Sequence, residues 1–142
     1  MISIDIDFNY FYIWKSLDEI YQPRVLVIEH NDSHLPTEDK VVKYDPNAAW
    51  DDTNYCGASI RALYNLGKAK GYSLVYGESM GVNLFFIKDS ILNEIELSFK
   101  ETNNIVLLYN FPKYGSALDG GHRHDDQDRE YITSQEILFK NK

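Results

Sequence analysis

The chain has 142 residues and a formal net charge of −8, which is enough length for one domain around one core. The negative charge disfavours nucleic acids and anionic membrane surfaces as partners, because carboxylates repel phosphate groups. A single cysteine, Cys56, excludes an internal disulfide, and no apolar run approaches the roughly 20 residues of a spanning helix. Because the first residues also lack the basic region of a signal peptide, we expect a cytoplasmic protein.

The first thirty residues predict a strand, a helix and a second strand. Residues 2–7 alternate apolar and polar side chains, as a strand does, and Asn9 can begin a helix as its N-cap. Apolar spacing of three and four residues predicts an amphipathic helix over residues 10–21, which Pro23 ends. The apolar run in residues 24–30 predicts a second strand, covered on both faces. Together these elements predict a right-handed βαβ unit.

The middle of the chain begins with a long polar connection. Residues 31–54 contain two prolines and many aspartates, and such a long loop is often functional. Residues 57–70 predict a second helix, which Gly71 ends. Residues 72–76 and 82–87 then predict two strands joined by a hairpin loop.

The last third of the chain is harder to interpret. Ser90 can cap a short helix over residues 91–99. Residues 105–109 are apolar and fit either a strand or a helix. Residues 111–129 are rich in turn-forming residues, so we expect irregular structure there.

Several segments, taken in their order and spacing, match one family. Residues 3–7 read Ser-Ile-Asp-Ile-Asp and are followed by Asn9 and Trp14, and residues 23–31 read Pro-Arg-Val-Leu-Val-Ile-Glu-His-Asn. The later segments are Tyr44-Asp45-Pro46, Gly57-Ala58-Ser59, Lys70-Gly71-Tyr72 and Gly81-Val82-Asn83. Over about residues 1–90 the sequence resembles the C-terminal half of class I S-adenosylmethionine methyltransferase-like proteins of an FkbM-related group.

The resemblance implies a single α/β domain over residues 1–142, with residues 91–142 as a C-terminal extension. Its sheet is a partial Rossmann-like methyltransferase sheet, in which parallel strands are followed by an antiparallel hairpin. The implied activity is methyl transfer from S-adenosylmethionine to a small molecule. The Gly-rich turn that holds this cofactor belongs to the family's N-terminal half, so we expect a truncated form that does not bind the cofactor alone. Phe8 replaces a family glycine, which predicts a rebuilt or strained turn.

Polar side chains lie at or near the ends of the two neighbouring predicted strands: Asp5, Asp7, Glu29 and Asn31. The carboxyl ends of parallel strands meet at one edge of a sheet, and oxygen ligands suit Mg²⁺, so Asp7, Glu29 and Asn31 are candidate metal ligands. As catalytic residues, Asp7 and Glu29 would polarise the substrate, Asn9 would orient it and His30 would act as a general base. The alternative is that Asp7 and Asn9 only cap the first helix.

A second candidate site is a cluster in the glycine-rich tail: His122, His124, Asp125, Asp126 and Asp128. It could bind a transition metal or form a solvated turn. Cys56 has no activating partner in the sequence and is predicted to pack as a small apolar residue. Tyr10, Phe11 and Trp14 have helical spacing and are predicted to lie in the core.

Two classes of function follow from these observations. The first is a methyltransferase-like enzyme acting on a small molecule, with S-adenosylmethionine as its cofactor and Mg²⁺ as a candidate metal. The second is a non-catalytic binding or assembly module. In that case the unpaired side of the first strand would join a second copy or a partner half-domain, unless residues 105–109 fold back over it.

Overall fold

A computed structural model describes residues 1–140, and residues 141 and 142 of the predicted C-terminal extension lie outside it. Its mixed sheet contains β1 (Ile2–Ile4), β2 (Val25–Glu29), β3 (Tyr72–Gly77) and β4 (Asn83–Lys88) in the order β1-β2-β4-β3. β1 and β2 are parallel, whereas β4 runs antiparallel to both of its neighbours. The predicted α/β class, the parallel first pair and the terminal hairpin are therefore present.

The first helix is shorter than its apolar pattern predicts. Helix α1 (Tyr10–Ser16) ends where Leu17 adopts an extended conformation, and a separate 3₁₀ turn follows at Glu19–Tyr21. The Asp18 side chain caps this turn by accepting a hydrogen bond from the Ile20 amide. Aspartate competes with helix continuation in this way, and the apolar periodicity does not reveal it.

The core lies between the sheet and helices α1 and α2 (Ile60–Ala69). Trp14 is fully buried and contacts the rings of Tyr72 and Phe86. Gly67 of α2 allows this contact, since a Cβ atom there would lie 2.8 Å from the Phe86 ring. Tyr10 and Phe11 are buried in the same cluster, so the predicted core role of all three α1 aromatic residues is confirmed.

The C-terminal third differs most from the sequence prediction. Helix α3 spans Asp89–Glu94 with Lys88 at its N-cap, so the predicted cap at Ser90 and the range 91–99 are wrong. Helix α4 (Ile105–Leu108) packs against α2 and β3, and it therefore does not cover the edge of β1. Within residues 1–140, no helix has the length and apolar character needed to cross a bilayer.

Helix α5 (Ser134–Phe139) packs on α2 and was not predicted, although its start is visible in the sequence. Thr133 and Glu136 form a reciprocal capping box, the pattern that marks many helix N-termini. The Ser134 amide and hydroxyl also donate hydrogen bonds to the Asp39 carboxylate, which ties the tail to the long loop after β2. An earlier part of the tail lies over the carboxyl ends of the first two strands, because Tyr114 and His122 line a cavity together with Asp7 and Glu29.

Candidate functional site

The turn after β1 is built around Asp7 instead of a glycine. Asp7 has a positive φ of 60°, and the Phe8 amide donates to the carbonyl of Ile6 at 2.7 Å. Phe8 itself is buried against Val42 and Tyr55. The left-handed conformation of this turn therefore falls on Asp7, and aspartate tolerates it better than most residues.

Three carboxylates converge where β1 and β2 end, and we call Asp5, Asp7 and Glu29 the acidic centre. One oxygen from each residue lies within 4.8 Å of the others. The parallel register, which pairs Ile4 with Ile28, brings the residues that follow these two in β1 and β2 to the same edge of the sheet. The structure thus brings Asp7 and Glu29 together, as the order of the two strands predicts.

The charge of the acidic centre is not compensated by the protein. Burial, together with the neighbouring charges of Asp5 and Asp7, raises the pKa of Glu29 to about 7. Glu29 Oε2 is buried without a hydrogen-bond partner. Among residues 1–140, no lysine, arginine or histidine forms an ion pair with these three carboxylates. A cation or a proton is therefore favoured there.

We expect Glu29→Gln to change the pH dependence of stability. Because the pKa of Glu29 is higher in the folded state, the native state binds more protons than the unfolded state between these two pKa values. Wild-type stability therefore falls as the pH rises from about 4.5 to about 7. Glutamine removes this fall. In metal-free buffer, the stability of the variant relative to wild type should therefore rise by about 1–2 kcal/mol from the low end of that interval to the high end. This value is smaller than the pKa shift alone would give, because Glu29 is partly exposed to solvent. Urea unfolding at several pH values measures the difference.

The matched control is Glu94→Gln, which removes the same charge at the exposed end of α3. Its difference from wild type should stay constant with pH. A constant difference for Glu29→Gln as well would show that Glu29 titrates normally.

A cavity of about 220 Å³ adjoins the acidic centre, and we call it the inner cavity. It is lined by Asp7, Glu29, Trp50, Cys56, Val82, Tyr114 and His122. The His122 ring lies between two other rings, 4.6 Å from Trp50 and 5.3 Å from Tyr114 between centroids. Burial raises the pKa of the Cys56 thiol to about 12, so it stays protonated and packs as predicted. The inner cavity is therefore an acidic pocket with an aromatic wall.

The candidate ligand Asn31 holds the loop around the site. Its amide nitrogen donates to the carbonyls of Asn54 at 2.7 Å and Cys56 at 2.8 Å. Its side-chain oxygen accepts from the Ser33 amide at 3.1 Å. The first two bonds use both of its donor hydrogens, and all three give the side chain a structural role beside the acidic centre.

The other two candidate catalytic residues are also held by backbone groups. His30 Nδ1 donates to the Val82 carbonyl at 3.1 Å, while Nε2 is buried without a partner. Burial lowers the pKa of His30 to about 4, which makes it a weak general base at neutral pH. Asn9 occupies the N-cap position of α1, but its amide donates to the Asp45 carbonyl and its oxygen forms no cap bond. The interpretation of Asn9 as a side-chain cap is therefore wrong.

The polar cluster of the tail is divided among different partners. Asp125 accepts hydrogen bonds from Arg129, and Asp126 forms an ion pair with Arg123 at 2.8 Å. His122 faces the aromatic wall of the inner cavity. In the part of the chain that the structure describes, these residues do not form a convergent group of metal ligands.

Sequence reasoning missed Asp32, which lies one residue beyond the predicted site. Asp32 is 1% exposed, and its Oδ1 accepts a hydrogen bond from the Tyr114 hydroxyl at 2.8 Å. Tyr109 donates to the Asp32 backbone carbonyl at 2.6 Å. Burial raises the pKa of Asp32 to about 7. In the sequence, only its position next to Asn31 indicates that Asp32 belongs to the site. Its tyrosine partners are about eighty residues away, so the sequence pattern does not reveal its burial.

The loop segment 51–55 is fastened to the tail by Arg129. This guanidinium pairs with Asp51 at 2.7 Å and with Asp125 at 3.0 Å, and it lies 4.2 Å from the centre of the Tyr55 ring. Trp50 and Cys56 flank this segment, and His122 lies in the tail that Arg129 contacts. Both sides of the inner cavity are therefore linked.

The arrangement at the ends of β1 and β2 can bind a small cationic group, and the aromatic wall can exclude water around it. Comparisons of this chain with protein-family models, with curated proteins and with solved structures found no match.

Proposed function

We propose that this chain is a methyltransferase-like, small-molecule-binding protein whose acidic centre holds a divalent cation at the substrate site. The observation that carries the proposal is the convergence of Asp5, Asp7 and Glu29 within 4.8 Å at the carboxyl edge of a parallel strand pair. Ligands of open α/β sheets bind at this edge. The inner cavity beside it leaves space for part of a small molecule.

The residues present fit a hard cation such as Mg²⁺. All three donors are carboxylate oxygens, and Glu29 Oε2 is a buried oxygen without any other partner. Asp5, Asp7 and Glu29 would hold the ion, which would lower the pKa of a substrate hydroxyl. The aromatic wall orients the bound molecule and excludes water, and Asn31 keeps the surrounding loop in place.

The residues present do not fit S-adenosylmethionine in the same way. In residues 1–140, the turn from β1 to α1 carries Asp7, Phe8 and Asn9, and β4 continues directly into α3. Neither connection offers the glycine-rich turn on which a nucleoside cofactor rests. Methyl transfer therefore stays a prediction from the family resemblance, supported by the sheet that ends in an antiparallel pair. It requires a cofactor-binding half that residues 1–140 do not supply.

An assembly module is the second candidate function. Within residues 1–140, β1 pairs with β2 on one side only, and the neighbouring Ile6 is 46% exposed. An open strand edge can pair with another chain. Light scattering distinguishes the two candidates, because a molar mass equal to the 16.5 kDa of one chain contradicts self-assembly through β1.

The test of the proposed function is a calorimetric titration with MgCl₂ and with MnCl₂. Wild type should bind saturably, and Asp7→Asn should weaken binding by at least about tenfold, because it removes one of three ligand charges. Asparagine tolerates the positive φ of this position, so the fold is preserved.

Asp126→Asn is the control, since Asp126 is exposed in the tail and pairs only with Arg123 among the described residues. It should bind the ions like wild type. Failure of wild type to bind either ion, or equal binding by Asp7→Asn, contradicts the metal site. In a parallel titration, S-adenosylmethionine should release no heat with this chain alone.

A further inference from the structure

A cavity of about 370 Å³ lies along the solvent side of α1, and we call it the α1 groove. Volumes of roughly 300–1,000 Å³ are typical of sites for small molecules. Lys15 and Tyr44 line the groove together with one face of α1 and its N-cap, which consists of Asn9, Tyr12, Ile13 and Ser16. The opposite side of the helix carries the aromatic residues of the core. The groove is therefore separate from the acidic centre and from the inner cavity.

The α1 groove offers apolar surface that a ligand can reach. Tyr44 is 59% exposed, and Ile13 is 43% exposed. The rings of Tyr12 and Tyr44 meet edge to face, with centroids 5.1 Å apart. Tyr12 is held in place by its hydroxyl, which donates to the Val42 carbonyl at 2.8 Å. An apolar molecule in the groove would cover these side chains, and their removal from water favours its binding.

The charge of the α1 groove comes from Lys15. Among the described residues that line it, Lys15 alone is charged, and it forms no ion pair within residues 1–140. In contrast, the basic residues Lys40, Lys43 and Arg129, which line two other cavities, pair with carboxylates at 2.7–2.9 Å. The α1 groove therefore presents a positive charge that an anion can neutralise.

A second ammonium group, that of Lys70, lies near the end of α1. It donates to the carbonyls of Lys15 at 3.3 Å and Leu17 at 2.9 Å. Burial lowers the pKa of Lys70, and the charge of Lys15 also lowers it, whereas Glu19 and Asp18 act in the opposite direction. The two ammonium groups thus repel each other. An anion bound beside Lys15 would relieve this repulsion.

We propose that the α1 groove binds a small carboxylic acid with an apolar body. Lys15 pairs with the carboxylate, while the rings of Tyr12 and Tyr44 and the side chain of Ile13 contact the apolar part. A neutral molecule of the same shape lacks the ion pair, and a cation is repelled by Lys15. Asn9, a predicted catalytic residue, lines this groove and is not among the residues that line the inner cavity.

The test compares three probes with one apolar body at neutral pH: 4-phenylbutyrate, 4-phenylbutanol and 4-phenylbutylamine. In an NMR titration, the acid should shift the amide signals of Tyr12, Ile13 and Tyr44 saturably. The alcohol should bind about three- to fivefold more weakly, which is the contribution of an exposed ion pair, and the amine more weakly still. No saturable binding of the acid, equal binding of acid and amine, or shifts confined to other residues overturns the proposal.

Variants of the chain locate the site. Lys15→Gln should weaken the acid about three- to fivefold and leave the alcohol unchanged, because only the ion pair is lost. The matched control is Lys68→Gln, which removes the same charge from the exposed end of α2 and should bind both probes like wild type. Because Tyr44 is exposed, Tyr44→Ala should fold normally and weaken acid and alcohol alike, by about three- to tenfold. Wild-type affinity for the acid in Lys15→Gln or in Tyr44→Ala contradicts the site.

Two variants separate this proposal from the proposed function. Asp7→Asn should weaken Mg²⁺ binding and leave the binding of 4-phenylbutyrate unchanged, since Asp7 does not line the α1 groove. Tyr44→Ala should have the opposite pattern. Equal loss of 4-phenylbutyrate binding in both variants would show that the probe does not occupy the α1 groove specifically, and it would overturn the assignment.

Discussion

We expect Trp14→Ala to lower the free energy of unfolding by about 3–5 kcal/mol, the largest loss among the substitutions considered. The indole is fully buried, and its ring centre lies 4.8 Å from Phe86 and 5.9 Å from Tyr72. These neighbours belong to two strands and cannot move inward to fill the space. The transition temperature should fall by about 10 °C, as measured by circular dichroism and urea unfolding.

The chain offers a matched control in Trp50, its other tryptophan. Trp50 is half-buried in a loop, where its indole N–H donates to the Thr53 carbonyl at 2.8 Å. Trp50→Ala should cost clearly less stability than Trp14→Ala. Similar losses for the two variants would show that Trp14 is not the centre of the core.

Gly57→Ala should destabilise the protein nearly as strongly, by about 3–4 kcal/mol. Gly57 has a positive φ of 49° and lies directly against the buried Tyr10 ring. A Cβ atom would lie 1.8 Å from Tyr10 Cζ, so the ring must move. The Tyr10 hydroxyl would then lose its hydrogen bond from the Ala58 amide, which now measures 2.8 Å.

Gly71→Ala separates the two causes of this loss. Gly71 also has a positive φ, of 76°, but a Cβ atom there meets nothing within 4 Å. It should therefore show the backbone cost alone, about 1 kcal/mol. If both alanine variants unfold at the same urea concentration, the contact with Tyr10 is not the reason for the glycine at position 57.

The sheet was predictable because its signals are local. Alternation in residues 2–7 and the apolar run that contains β2 identify two strands, and one intervening helix requires them to be parallel neighbours. The ends of the helices were less predictable, because single side chains decide them. Asp18 interrupts the pattern after α1, and Thr133 with Glu136 begins a helix that the tail's many turns obscured.

The acidic centre was predictable from the same topology, since strand ends that lie side by side bring their next residues together. The role of Asn31 as a loop support was not, because its partners lie in the irregular loop 31–54 and at Cys56. Asp32 depends on Tyr114, eighty-two positions later in the sequence. No periodic pattern links residues that far apart, so the burial of Asp32 becomes visible only once the tail is placed.

The tail's place over the strand ends has a consequence for synthesis on the ribosome. All four strands are outside the ribosome once Lys88 has emerged, so the sheet can pair before Tyr109, Tyr114 and His122 emerge. At translation speeds of roughly 5–20 residues per second, several seconds separate the emergence of the sheet from that of the segment that completes the inner cavity. During that interval the nascent chain exposes Asp32 and Glu29 to water, because the segment that covers them has not yet emerged.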